Sequence, residues 1–261
     1  MKFKLLETSE IDTLKKITDQ EELYNTLIKM LRSKNYEDTV DFIDDLVDDP
    51  KLRFILSLGF GGKFANLKLK LTEKVIPCIK LIPTQREIGL DETLKYVLSG
   101  KNLEKCFRDP AVIKKPIVTF QGTFIVDGHH RWSEIYATNP KANLLCIDIS
   151  GNLSPIAMLK AVQATIGSNV GDLETKDVQG KNLFDQKADY LRKYIEKGMS
   201  QETYDFLRKY YDDPVNSIVG NCLELKINNT PILGAPKRGD MPQTGHDPEL
   251  FSDLKKGITK I

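Results

Sequence analysis

Between Asp127 and Trp132 the chain reads Asp-Gly-His-His-Arg-Trp, and this run holds two of the three histidines and the one tryptophan among 261 residues. It follows directly on the apolar stretch Phe124-Ile125-Val126. A glycine after a strand lets the backbone turn sharply into a helix, whose first amides then lack intrahelical acceptors. Such a helix start attracts anions before any side chain is counted. His129, His130 and Arg131 add donors at the same place, and a guanidinium suits two-pronged phosphate recognition. Asp127 has the chemistry to hold a histidine tautomer, orient an attacking hydroxyl or ligate Mg²⁺. Taken singly, Asp127 is also an ordinary helix cap and Trp132 an ordinary core residue. Zinc fits poorly, because adjacent histidines on a helix diverge by about 100° and would need a third ligand.

The elements that must carry this run are legible around it. "PIVTF" and "TFIVD" are β-rich and meet at Gln121-Gly122, which predicts a hairpin. "HHRWSEIYATNP" reads as a helix ended by Asn139-Pro140, and "NLLCIDIS" as a buried strand. Upstream, "VIPCIKLIPTQREIGL" is a short strand entering a proline turn. "LDETLKYVLSGKN" is an amphipathic helix stopped near Gly100. Residues 9–48 are helical by period, with Ser9 as a candidate cap. The acidic run Asp41–Asp49 alternates with Phe42, Ile43, Leu46 and Val47 at helical spacing, so it reads as a solvated outer face. "SPIAMLKAVQATIG" and three segments between residues 185 and 228 are further helices. "GDLETKDVQGKNLF" reads as a polar loop. The glycine-rich Gly59–Phe64 lacks the spacing of a phosphate-cradling loop and reads as a turn.

The totals bound the functional class. The chain is 40% hydrophobic, and its 38 basic and 37 acidic side chains leave a net charge of +1. Near-neutrality disfavours a DNA-coating role. The amino terminus has charges every few residues and no apolar core of a signal peptide, and no stretch approaches a membrane span. Four dispersed cysteines without a CxxC pair read as buried thiols in a reducing compartment. A cytoplasmic protein is expected.

"FIVDGHHRW" resembles the signature of the ParB/sulfiredoxin fold superfamily, and within it the free serine kinase branch, which carries nearly the same run. Sulfiredoxins have Gly-Cys-His-Arg at the corresponding turn and ParB proteins Gly-Glu-Arg-Arg. The resemblance covers residues 74–150, with "KLIPTQREI" similar to the family's early strand and proline turn. It implies an α+β fold: a ParB/sulfiredoxin-like core of a small mixed sheet with helices, between helical N-terminal and C-terminal regions. The domain reading is 1–73 helical, 74–150 nucleotide-binding core, 151–230 helical, and 231–261 a proline- and glycine-rich tail.

The resemblance further implies that Thr84, Gly128, His129, His130 and Arg131 hold nucleotide phosphates, with Asp127 beside the transferring group. The serine kinases place a glutamate just after the proline of the first motif. Here Gln85 stands there and Glu87 lies two residues on, so Gln85 and Glu87 join Asp127 and His129 as catalytic candidates and the serine substrate does not carry over. A looser similarity runs to phage-encoded proteins that join "PTQxEI" to "DGHHRW", which would place this protein in a host cytoplasm. In that group an "RxxMPQ" segment precedes the PTQ motif; here "RGDMPQ", Arg238 to Gln243, stands near the carboxyl end. A circular permutation would return this tail to the core and bring Arg238 to the phosphates; a tether is the plainer reading.

The function expected from these readings is a nucleotide-dependent phosphotransferase or nucleotide hydrolase using ATP or ADP with Mg²⁺, Asp127 being the metal ligand. Its partners would be the nucleotide and a phosphate acceptor, small molecule or protein. The alternatives are a ParB-like module that binds nucleotide or DNA without phosphoryl transfer, and a non-catalytic phage assembly or host-interaction protein.

Overall fold

The structure, a computed structural model, describes residues 7–58, 69–173, 180–228, 232–241 and 249–256. Gly59–Phe64 and Gln243 lie outside these residues. In chain order the first elements are α1 (Glu7–Lys16), α2 (Gln20–Ser33), α3 (Tyr36–Val47), α4 (Pro50–Leu58), β1 (Lys70–Pro77) and β2 (Ile82–Pro83). Then follow α5 (Leu90–Thr93), α6 (Lys95–Ser99), α7 (Leu103–Cys106), β3 (Ile117–Phe120), β4 (Phe124–Asp127), α8 (His129–Thr138) and β5 (Asn143–Ser150). The last are α9 (Pro155–Val170), α10 (Ala188–Gly198), α11 (Gln201–Leu207), α12 (Pro214–Asn228) and α13 (Leu250–Lys256). The protein is therefore α+β, and among the described residues no helix is long and apolar enough to cross a membrane.

The chain forms two compact units. One comprises residues 1–71, 150–177 and 234–261; the other comprises 72–149 and 178–233. In the first, α9 is the central helix, with α3, α4 and α13 packed on it. Local signals place its neighbours: Asp19 caps α2 and Asn35 caps α3, each accepting a backbone N–H at 2.8 Å. Ser9 lies inside α1 and is not its cap. On α3 the aspartates at 41, 44 and 45 are exposed, as is Asp48 just after it, while Phe42, Ile43, Leu46 and Val47 are buried, as the helical period requires.

The second unit is built on the sheet, whose strand order is β1-β5-β3-β4-β2. β3 and β4 are antiparallel, while β2 runs parallel to β4 and β3 parallel to β5. Three residues, Gln121 to Thr123, connect the hairpin's strands. Thr123 N donates to Phe120 O at 3.2 Å and closes a turn whose two central residues, Gln121 (φ +54°) and Gly122 (φ +64°), both have positive φ, which matches the twist of the strands. Buried Asp148 of β5 fastens this turn, accepting from Gly122 N at 2.5 Å, Thr119 Oγ1 at 2.9 Å and Lys74 Nζ at 2.5 Å.

One face of the sheet packs on α8 through Ile117, Ile125 and Cys146, which join Trp132, Ile135 and Tyr136 in the core. Trp132 is fully buried, its indole N–H donating to Cys78 O at 3.0 Å. All four cysteines are buried free thiols, as expected. The stretch predicted as a single helix over residues 90–100 is two, α5 and α6, because Leu94 leaves helical geometry; Gly100 at φ +68° ends the second.

Candidate functional site

Gly128 caps α8 at φ +98°, ψ +22°, a left-handed conformation that side chains rarely tolerate. A Cβ here would stand 2.8 Å from Arg131 Nη2 and 2.9 Å from Ile117 Cδ1, so the space is full as well as the backbone strained. The preceding hairpin prepares this turn. The β3–β4 register shifts between Val118 and Thr119, which sets Asp127 opposite Val118 at the strand end.

Arg131, one turn into α8, folds back over the glycine. Its Nη2 donates to Asp127 Oδ2 at 2.7 Å and to Pro116 O at 3.3 Å. Both side chains of the pair keep 27% of their surface exposed, so the pair sits at the mouth of the turn rather than within the core. Arg131 Nε is buried and has no hydrogen-bond partner. An unsatisfied guanidinium N–H is costly, and an anion is its natural complement.

His129 points the other way. It is buried, and its Nε2 accepts the backbone N–H of Thr84 at 3.1 Å. An accepting Nε2 carries no proton, so the neutral ring holds its proton on Nδ1. Burial pushes its pKa down to about 3; Asp127 opposes that shift while His130 and Arg131 add to it. Thr84, itself buried, donates its hydroxyl to Ile125 O. The DGHHR turn and the PTQ loop are thus welded together through His129 and Thr84. His130 is half-buried, and its carbonyl accepts from Ser133 Oγ at 3.1 Å.

Gln85 is 97% buried, with its amide turned onto the loop's own backbone, Nε2 donating to Glu87 O at 2.9 Å. Glu87 is half-buried. The structure thus gives these two catalytic candidates unequal exposure: Gln85 shapes the loop, and Glu87 is the carboxylate with access to solvent.

Two supports of this loop carry no sequence signal. Leu183 N donates to Ile88 O at 2.7 Å, Leu90 N to Lys181 O at 2.8 Å and Ile88 N to Asn182 Oδ1 at 3.0 Å. The stretch read as a polar loop therefore adds backbone pairing to the PTQ loop. On the helix side, Thr93 Oγ1 bonds Ser133 Oγ at 3.0 Å and ties α5 to α8. Glu134, also buried, lies by Lys95, Tyr96 and Arg131, and burial raises its pKa.

Arg238 sits in the other compact unit, beside a turn closed by Met241 N donating to Arg238 O at 3.2 Å. Among the described residues no group of three His, Cys, Asp or Glu side chains could hold a metal ion.

What the turn offers chemically is therefore a helix start, an oriented guanidinium and one carboxylate, on a rigid loop-to-helix weld. Comparison of the chain with protein-family models, curated proteins and solved structures gives no match.

Proposed function

We propose that the Asp127–Arg131 turn grips nucleotide phosphates, in a ParB/sulfiredoxin-like core, and that the protein is a nucleotide-dependent phosphotransferase using ATP or ADP. The observation that carries this reading is Arg131, aimed across the start of α8 with a buried, unpartnered Nε and a partly exposed head. Phosphate would gain the helix amides and the guanidinium together, the arrangement that stabilises charge during phosphoryl transfer. Asp127 is the residue that would meet Mg²⁺, which the phosphates would bring with them; the ion would neutralise phosphate charge. Glu87 and Asp127 are the carboxylates for proton removal from an acceptor hydroxyl. His129 supports the site by fixing Thr84.

A second reading, binding of nucleotide without transfer, draws on Gln85: its amide stands where the serine kinases have a carboxylate, and it is committed to the loop.

The test is isothermal titration with ATP, ADP and CTP, with and without Mg²⁺. Arg131→Ala is expected to weaken binding by about 1.5–3 kcal/mol, the worth of a charge-assisted hydrogen bond. Asp127→Asn is expected to keep binding and lose transfer, since the amide keeps the shape but is neither base nor charged ligand. Unchanged nucleotide affinity in Arg131→Ala refutes the phosphate grip. Bound nucleotide with no phosphoryl transfer to any acceptor, in the parent, favours the second reading.

A further inference from the structure

The segment running up to β3 is the most one-sided stretch of charge in the second unit. Residues 101–116 carry Lys101, Lys105, Arg108, Lys114 and Lys115 against only Glu104 and Asp109, in a chain whose total is +1. Its backbone is pinned along its length. Val112 N donates to Lys105 O at 3.0 Å, Ala111 N to Asn143 O at 2.8 Å, and Asn139 Nδ2 to Cys106 O at 2.9 Å. One of its two carboxylates is already engaged, Asp109 Oδ1 accepting from Asn143 Nδ2 at 2.9 Å. The segment ends at Pro116, whose carbonyl accepts from Arg131 Nη2.

That last contact places the end of the segment beside Arg131. Lys115 and Lys114 are exposed and lie one and two residues before Pro116. Successive Cα atoms are about 3.8 Å apart, so both lysine stems start within about 8 Å of the Pro116 Cα. Each has a flexible four-carbon stem and a strongly hydrated ammonium, which suits loose contact with phosphate oxygens rather than a fixed geometry.

We infer that the phosphate grip continues from Arg131 onto Lys114 and Lys115, and that its ligand carries a chain of phosphates rather than one. The inference rests on the turn being a phosphate site. It goes further in assigning two lysines outside the DGHHR run to the outer phosphates of a nucleoside di- or triphosphate. The inner phosphate lies at the α8 start with Arg131, and the outer ones lie over the segment before Pro116. Lysines on a solvent-exposed rim act mainly through screened attraction, so their contribution falls as salt rises.

Isothermal titration of the full chain with AMP, ADP, ATP and inorganic tripolyphosphate at low and moderate salt tests this. Affinity is expected to climb from AMP to ATP, with tripolyphosphate competing against ATP. The double variant Lys114→Ala/Lys115→Ala should lose about tenfold in ATP affinity, as two exposed charge contacts allow, while its AMP affinity stays within about twofold. Its salt dependence should flatten. Lys29→Ala, an exposed lysine of α2 in the first unit, should change nothing, and unaltered unfolding midpoints will show that all variants fold.

A double variant that keeps the parent's climb from AMP to ATP overturns the inference while leaving the phosphate grip standing. A parent that binds none of the four probes overturns both. Binding of a single-stranded DNA oligonucleotide in place of ATP, lost in the double variant, would reassign the lysines to a nucleic-acid backbone and overturn it as well.

Discussion

His129 illustrates how a residue suited to catalysis is used for architecture. Its ring is buried and neutral, with Nε2 committed to Thr84 N. The folded-state pKa of about 3 lies below the ordinary histidine value. Below about pH 6.5 the unfolded chain takes up a proton that the folded chain refuses, so this residue's contribution is complete above pH 6.5 and is lost as pH falls toward 3. Between pH 7 and pH 5 the loss from this one ring is about 2 kcal/mol. Urea unfolding at the two pH values measures it. His129→Gln, which offers an oxygen acceptor that does not titrate, is expected to remove about that much of the pH dependence. An identical pH dependence in the variant would show that the ring protonates without cost. Arg131 and Asp127 differ in kind, since each keeps part of its surface in solvent where a ligand can compete for the pair.

At the scale of elements, the β3–β4 hairpin aims the site. Its turn holds Gln121 at φ +54°, a conformation costly for an L side chain other than Asn or Asp. Gln121→Asn keeps the exposed position and relieves that cost, so it should raise stability by roughly 0.5 kcal/mol. Thermal unfolding checks this, and a lowered midpoint would mean that the Gln121 side chain contributes more than its backbone costs. The turn's second fastening, buried Asp148, explains why an eight-residue strand with one charged side chain can lie inside the sheet: the carboxylate has a cation and two hydrogen-bond donors around it. At the other end of the element, Tyr211 Oη and Asn221 Nδ2 bond Thr138 O and Ala137 O, satisfying the terminal carbonyls of α8. Both ends of α8 are thereby held, and its first turn is presented rigidly.

At the scale of the molecule, each unit is closed by chain that returns from far along the sequence. In the first, α9 is buried on nearly every side and carries Lys160 and Gln163 inward. Lys160 Nζ donates to Leu31 O and Lys34 O, closing the end of α2. The tail supplies α13, whose Leu250 and Leu254 are buried in the same unit. Leu254→Ala should cost about 2–4 kcal/mol, the usual range for a core leucine truncation. Chemical denaturation would measure the loss, and a change below about 1 kcal/mol would show the tail helix to be dispensable for that unit.

Much of the local structure was legible because it depends on near neighbours. The hairpin at Gln121-Gly122, the glycine turn into α8, the stop at Asn139 and the outward acidic face of α3 all follow from backbone preferences and periods of a few residues. The candidate turn was visible for the same reason, since its chemistry is packed into consecutive positions. Leu94's break between α5 and α6 was not, because no proline or glycine marks it. What only the tertiary structure decided is which of the adjacent polar residues face inward. His129 and His130 stand side by side in sequence, yet a step of about 100° per residue sends one under Thr84 and leaves the other half-exposed. Pro116, Leu183 and Asn182 touch the site's supports through backbone atoms or a lone amide, groups that every sequence contains and none advertises. The division into two units, each gathering distant segments, likewise depends on long-range burial, which single-chain periodicity does not encode.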